Sequence, residues 1–218
     1  MKVNTDGVLL GAWTKLSGVK TVLDISTGTG LISLMIAQRS NTNITGIEIE
    51  KNAADEAAQN VKNSKWSNRI SIQHSSFQDF VASFQNKFDV IVSNPPFFSN
   101  GVKNTNPHLS IARHNHMLPF KDIIEGAKKL LNENGKLSLI LPAGSTKEFI
   151  EKALFKNLFL TRLTEVKPFP DTKPNRCLME FGKLQVVLQK TVMSVFDETR
   201  KDYSEEFKIL ARDFYLKL

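Results

Sequence analysis

An amide, two prolines and an aromatic ring follow one another at Asn94-Pro95-Pro96-Phe97, directly after the short apolar run Phe88-Asp89-Val90-Ile91-Val92-Ser93. That run is β-branched and reads as an interior strand, so Asn94 stands where the strand ends. Each proline fixes its own φ, and the residue before a proline is driven away from helix. The expected turn is stiff, with the Asn94 amide and the Pro95 carbonyl held in a set relation. Two such oxygens can accept both N–H bonds of one planar amino group while Phe97 stacks on the ring that carries it. An ordinary strand-ending loop is the competing reading of these four residues.

A second constellation lies upstream. Leu23-Asp24-Ile25-Ser26-Thr27-Gly28-Thr29-Gly30 places a glycine-rich turn between an apolar strand and a helix-spaced segment. Glycine permits positive φ and close approach of backbone to a ligand. The spacing is G-x-G without the third glycine of the dinucleotide fingerprint, so the loop alone is weak. Glu48 follows Gly28 by twenty residues at the end of the next strand, where a carboxylate can accept both ribose hydroxyls. No G-x-x-x-x-G-K-[ST] loop is present, which favours a nucleoside over a triphosphate.

The elements that must hold these residues alternate along the chain. Strands are expected at 21–25, 44–49, 70–73, 88–93, 136–141, 158–166 and 177–184. Helices are expected at 31–38, 51–63, 77–84, 120–131 and 147–156, with Asn134-Gly135 closing the fourth of these as a C-cap. A last helix is expected over 203–218, its Phe207, Leu210, Ala211 and Phe214 forming one face against the core. Strand–helix alternation implies an α/β fold with a mostly parallel sheet covered on both faces. Residues 1–218 read as one domain, with a helical lead-in over 1–18 and a C-terminal extension from 185. The long loops at 98–118 and 167–176 are candidates for function.

Composition narrows the classes. The 218 residues are 41% hydrophobic and 23% charged, ordinary for a globular protein. There is no apolar run of membrane-spanning length and no signal-peptide layout, so a cytoplasmic protein without membrane contact is expected. Cys177 is alone, which excludes an internal disulfide framework, and the four histidines show no metal-ligand spacing with it, so no metal is expected. The net charge of +7 favours an anionic partner, nucleic acid above all.

Together the glycine loop, Glu48 and Asn94-Pro95-Pro96-Phe97 resemble the Rossmann-like, doubly wound S-adenosylmethionine-dependent methyltransferases of the amino-group branch, which share a seven-stranded sheet and an N-P-P-[FYW] motif. Within that branch the chain is similar to the bacterial tRNA1(Val) (adenine(37)-N6)-methyltransferase family through roughly Leu184. Thr5-Asp6-Gly7-Val8-Leu9-Leu10-Gly11-Ala12-Trp13 looks like that family's opening signature, as do Ala112-Arg113-His114 and Leu139-Ile140-Leu141-Pro142. The resemblance implies S-adenosylmethionine as cofactor and adenine N6 in the tRNA anticodon loop as acceptor. It places Asp24, Ser26, Gly28 and Gly30 at the methionine end of the cofactor and Glu48 on its ribose. Asp79, in the segment after the third strand, is assigned to its adenine. Asn94, Pro95, Pro96 and Phe97 become the catalytic turn, with Phe98 a weaker stacking candidate. Lys103, His108, Arg113 and His114 in one loop, and Lys167, Lys173 and Arg176 in the other, are candidate phosphate contacts. A monomer is expected.

Two departures are visible. Ser26 replaces the family's usual glycine and is expected to keep a negative φ. The family's N-terminal hairpin, with its Phe-Lys-Gln-Phe element, lies ahead of the Thr-Asp-Gly segment and is not contained here, which is expected to weaken RNA binding. Rival readings are a release-factor glutamine-N5 or rRNA guanine-N2 methyltransferase, a DNA adenine methyltransferase lacking its recognition domain, and a non-catalytic RNA-binding relative.

Overall fold

Four apolar, β-branched segments, the first three each followed by a helix, build the parallel half of a single sheet. The structure, a computed structural model, describes residues 4–96 and 118–215. Strands β1 (Thr21–Ile25), β2 (Asn43–Glu48), β3 (Ile70–His74) and β4 (Phe88–Ser93) pair in parallel, and β5 (Leu131–Pro142) joins β4 in the same sense. Strands β6 (Phe159–Lys167), β7 (Arg176–Gly182) and β8 (Gln189–Ser194) complete the order β3-β2-β1-β4-β5-β7-β6-β8. β7 runs antiparallel to both its neighbours, whereas β8 pairs with β6 in parallel.

The helices are α1 (Thr5–Trp13), α2 (Leu31–Arg39), α3 (Lys51–Lys62), α4 (Phe77–Ser83), α5 (Phe120–Leu130), α6 (Ala143–Phe155) and α7 (Glu205–Ala211). Two apolar clusters cover the two faces. One gathers Leu9, Ile36, Val61 and Phe207 from α1, α2, α3 and α7. The other gathers Phe80, Ile123 and Phe149 from α4, α5 and α6. This layering matches the doubly wound expectation.

Three differences from the sequence expectation have physical causes. The sheet has eight strands rather than seven, because the extension beyond residue 185 adds β8 at the edge. Asn134-Gly135 does not cap a helix: α5 ends at Leu130, and the pair falls in an irregular stretch where the β4–β5 register jumps from Phe88↔Leu131 to Val90↔Lys136. A Cβ on Gly135 would stand 3.0 Å from the Phe88 carbonyl, so the bulge needs the bare backbone. The last helix covers only 205–211, capped at Ser204, whose side chain accepts from the Phe207 amide; Phe207 and Ala211 are buried as expected.

α1 is buried almost all round and is fastened at its end. Trp13 Nε1 donates to Thr164 Oγ1 at 2.9 Å, and the Arg162 guanidinium lies 3.4 Å over the Trp13 ring while pairing with Glu180. The other end of this fixed helix reaches the site.

Candidate functional site

The carboxyl ends of β1, β2 and β4 meet at one cavity of about 600 Å³. In a doubly wound sheet ligands bind outside these ends, near the point where strand order reverses, and here that point lies between β1 and β4. Ser26, Thr27, Gly28, Thr29, Glu48, Asn94, Pro95 and Pro96 all line the cavity, so the three separate sequence motifs converge.

The β1–α2 loop is shaped by backbone demands. Gly28 and Gly30 have φ of 60° and 84°, and Gly30 is the left-handed N-cap of α2. Ser26 also has a positive φ, 58°, which corrects the expectation of a negative one. The left-handed conformation costs a non-glycine residue about 1–2 kcal/mol, and the loop holds Ser26 there through its neighbours. The Thr27 amide donates to the Ile47 carbonyl at 3.0 Å, and the Gly28 amide donates to Glu48 Oε2 at 2.9 Å. Gly46 makes room: a Cβ there would come within 3.1 Å of Thr27 Oγ1.

Asp24 lies beneath the loop rather than in the cavity wall. It is fully buried, and its Oδ2 accepts from Thr27 Oγ1 (2.6 Å), Ser33 Oγ (2.7 Å) and the Ser33 amide (3.1 Å). Burial pushes its pKa up to about 6, more than these hydrogen bonds lower it, and the nearby Glu48 charge adds to the rise. Asp24 thus ties the loop to the first turn of α2.

Glu48 is nearly buried and doubly held, its Oε1 accepting from the Glu50 amide at 3.0 Å as Oε2 takes Gly28. Each carboxylate oxygen keeps acceptor capacity for a hydroxyl in the cavity. Asn94 follows Ser93, whose hydroxyl donates to the Ile25 carbonyl and binds β4 to β1 next to the loop. Pro95 is buried and Pro96 exposed, so the turn is anchored at one proline and open at the next.

Several lining residues were not singled out from sequence. Ile49 was placed inside the second strand, but β2 stops at Glu48 and leaves Ile49 43% exposed as an apolar surface on the cavity. Glu50, Asn52, Ala53 and Glu56 contribute from the N-cap and first turns of α3, and Asn4, Asp6 and Gly7 from the N-cap and first turn of α1. An apolar residue directly after the acid at a strand's carboxyl end was the available signal for Ile49. The opening signature Thr5–Trp13 marked α1 by resemblance, but no local pattern placed it at the cavity, since it precedes the first strand.

Other assigned residues fall elsewhere. Asp79 sits in the first turn of α4, exposed, with its carboxylate accepting from Ser76 Oγ at 2.6 Å, and it is not among the cavity's lining residues. Arg176 opens β7 and donates through Nε to Asp6 Oδ2 at 2.9 Å, so it braces a wall residue. Lys167 donates to the Pro170 carbonyl, and Lys173 is exposed. Phe97, Phe98, Lys103, His108, Arg113 and His114 lie outside the described residues.

The wall carries Asp6, Glu48, Glu50 and Glu56 and, among the described residues, no Lys, Arg or His. An acidic cavity in a chain of net charge +7 suits a neutral or cationic nucleoside and opposes phosphates. With the glycine loop, the ribose-ready Glu48 and the apolar Ile49, it fits S-adenosylmethionine. Among the described residues no cluster of His, Cys, Asp and Glu could hold a metal ion, and no helix is long and apolar enough to cross a membrane.

Fold and site together define a Rossmann-like methyltransferase. Residues 7–165 match the methyltransferase small domain family. The crystal structure of a predicted O-methyltransferase from Agrobacterium tumefaciens superimposes with a TM-score of 0.73 at 19% identity, covering 95% of this chain and 96% of that one. The ribosomal protein L11 methylase of Lactobacillus delbrueckii shares the fold with a TM-score of 0.58 at 15% identity, over 82% of this chain and 77% of that one. Over its whole length the chain is 43% identical to the tRNA1(Val) (adenine(37)-N6)-methyltransferase of Trichodesmium erythraeum and 42% identical to that of Christiangramia forsetii, covering 92% of each. The chain belongs to the tRNA1(Val) (adenine(37)-N6)-methyltransferase family.

Proposed function

We propose that the protein methylates N6 of an unpaired adenine in tRNA, with adenosine 37 of tRNA1(Val), in the anticodon loop, as the acceptor, using S-adenosylmethionine. The observation that carries this reading is the shared cavity: the Asn94-Pro95-Pro96 turn lines the same space as the Gly28–Glu48 pair. Its relatives' names support the acceptor. The cytoplasm, where tRNA is modified, is the proposed location.

Glu48 and the Gly28 loop hold the nucleoside, and Ile49 gives its base an apolar surface. Bound there, S-adenosylmethionine supplies a methyl carbon made electrophilic by its sulfonium. Adenine N6 is a poor nucleophile because its lone pair is delocalised into the ring. The Asn94 side-chain oxygen and the Pro95 carbonyl accept hydrogen bonds from its two N–H groups, favouring the pyramidal, attacking form and stabilising the positive charge that develops as the N–C bond forms and the methyl–sulfur bond breaks, leaving a neutral thioether. Phe97 is assigned to stacking on the base, worth on the order of 1–3 kcal/mol. The alkylated nitrogen then loses a proton to solvent, so no dedicated base is needed. A paired adenine cannot enter such a site, whereas a loop base can be splayed out.

Incubation of total tRNA with labelled cofactor, followed by mass-spectrometric mapping of the modified nucleoside, tests this. N6-methyladenosine next to the anticodon supports the reading. A methylated guanine, or unlabelled tRNA with label entering release factor in a parallel incubation, would move the acceptor to another amino group.

A further inference from the structure

We infer that Asp6, in the first turn of α1, holds the α-ammonium group of the cofactor's methionine; this rests on the S-adenosylmethionine reading above. The cavity has two ends along the sheet. Glu48, Ile49 and the start of α3 form one of them, beside β2. At the other, Asp6 Oδ2 accepts from Arg176 Nε at 2.9 Å, and Arg176 stands in register with Pro142 where β5 ends. β1 and β4 lie between, followed by Ser26 and Asn94 respectively. A Cβ on Gly7 would come within 3.1 Å of Leu31 Cδ2, so α1 meets the cavity over the first residue of α2.

That order matches the order of groups along the cofactor. With the base on Ile49 and the ribose on Glu48, the chain beyond the ribose runs toward β4, since its methyl has to reach the Asn94-Pro95 turn. The amino-acid group continues to the far end, where Asp6 is the one carboxylate of the wall among the described residues. Asp24, assigned to the methionine end from sequence, is fully buried beneath the loop and does not line the cavity. Glu50 is engaged at the β2 end by the amides of Asn52 and Ala53. Asp6 keeps the capacity the role needs. Arg176 occupies Oδ2 and fixes the side chain, while Oδ1 has no hydrogen-bond partner among the described residues. A carboxylate oxygen held in this way accepts an ammonium N–H in a charge-assisted bond, roughly twice as strong as a neutral one.

Calorimetry with two probes separates this role from a structural one. S-adenosylhomocysteine carries the ammonium group without the sulfonium charge, and methylthioadenosine keeps the nucleoside but lacks the whole amino-acid group. Asp6→Asn retains an oxygen for Arg176 and removes the negative charge. It should raise the dissociation constant of S-adenosylhomocysteine at least about tenfold while leaving that of methylthioadenosine within about twofold. Equal losses for the two probes, no loss for either, or tighter binding of S-adenosylhomocysteine would overturn the assignment. Wild-type protein that binds neither probe would overturn the S-adenosylmethionine reading, and the assignment with it.

Discussion

The backbone amide of Gly28 donates to Glu48 Oε2 at 2.9 Å, joining the loop after β1 to the end of β2 across the floor of the cavity. Glycine at 28 is what allows this approach, with φ at 60° and the amide turned toward the acid. One carboxylate therefore shapes the loop and faces the ligand.

That double duty predicts a cost in cofactor binding. Hydrogen bonds to a charged group contribute about 1.5–3 kcal/mol, so Glu48→Ala should raise the dissociation constant at least about tenfold by calorimetry. Unchanged affinity would remove Glu48 from the ribose role.

Ser26 gives a prediction of opposite sign. Its φ of 58° favours glycine, so Ser26→Gly should stabilise the fold by about 1 kcal/mol, less the extra freedom glycine gains when unfolded. In a chain of this size that is a rise of about 2–4 °C in Tm. A fall in Tm would mean that the Ser26 side chain contributes more than its backbone costs.

Asp24 makes stability depend on pH. Its folded pKa, about 6, lies above the ordinary 3.8, so the native state binds the proton more tightly than the unfolded chain. Stability from this group is present at low pH and is lost as pH rises through about 6. Between pH values of about 5 and 7.5 the loss is on the order of 1 kcal/mol. Urea titrations of wild type and Asp24→Asn should show that component in the first and not in the second. Parallel pH profiles would contradict the burial argument.

A basic chain acting on tRNA should bind it in a salt-dependent way. Each phosphate contact steepens the fall of log affinity against log salt by about 0.7–0.9. Filter binding over a salt series measures this, and a flat line would speak against phosphate contacts.

Much of this was legible beforehand, for reasons the particular residues show. β1, β2 and β4 are short apolar runs, and parallel pairing brings their carboxyl ends together, so Gly28, Glu48 and Asn94 could be joined in advance. β8 was not visible, because Gln189-Lys190-Thr191 lacks alternation and gains its strand form from pairing with β6. Asn134-Gly135 carries the chemistry of a helix cap, yet the β4–β5 bulge uses the same conformational freedom. Asp6 reached the wall through α1, whose place is set by Trp13, Arg162 and Thr164 far along the chain. No local pattern announces such a contact.

The central claim is that the Asn94 amide acts on the acceptor amino group and not on the cofactor's binding. Parallel measurements on Asn94→Ala test it most directly: calorimetry with S-adenosylmethionine, and methyl transfer to tRNA under saturating cofactor. The account predicts cofactor affinity within about threefold of wild type, under 1 kcal/mol, with transfer reduced by at least about a hundredfold. Transfer at near wild-type rate in Asn94→Ala would contradict it.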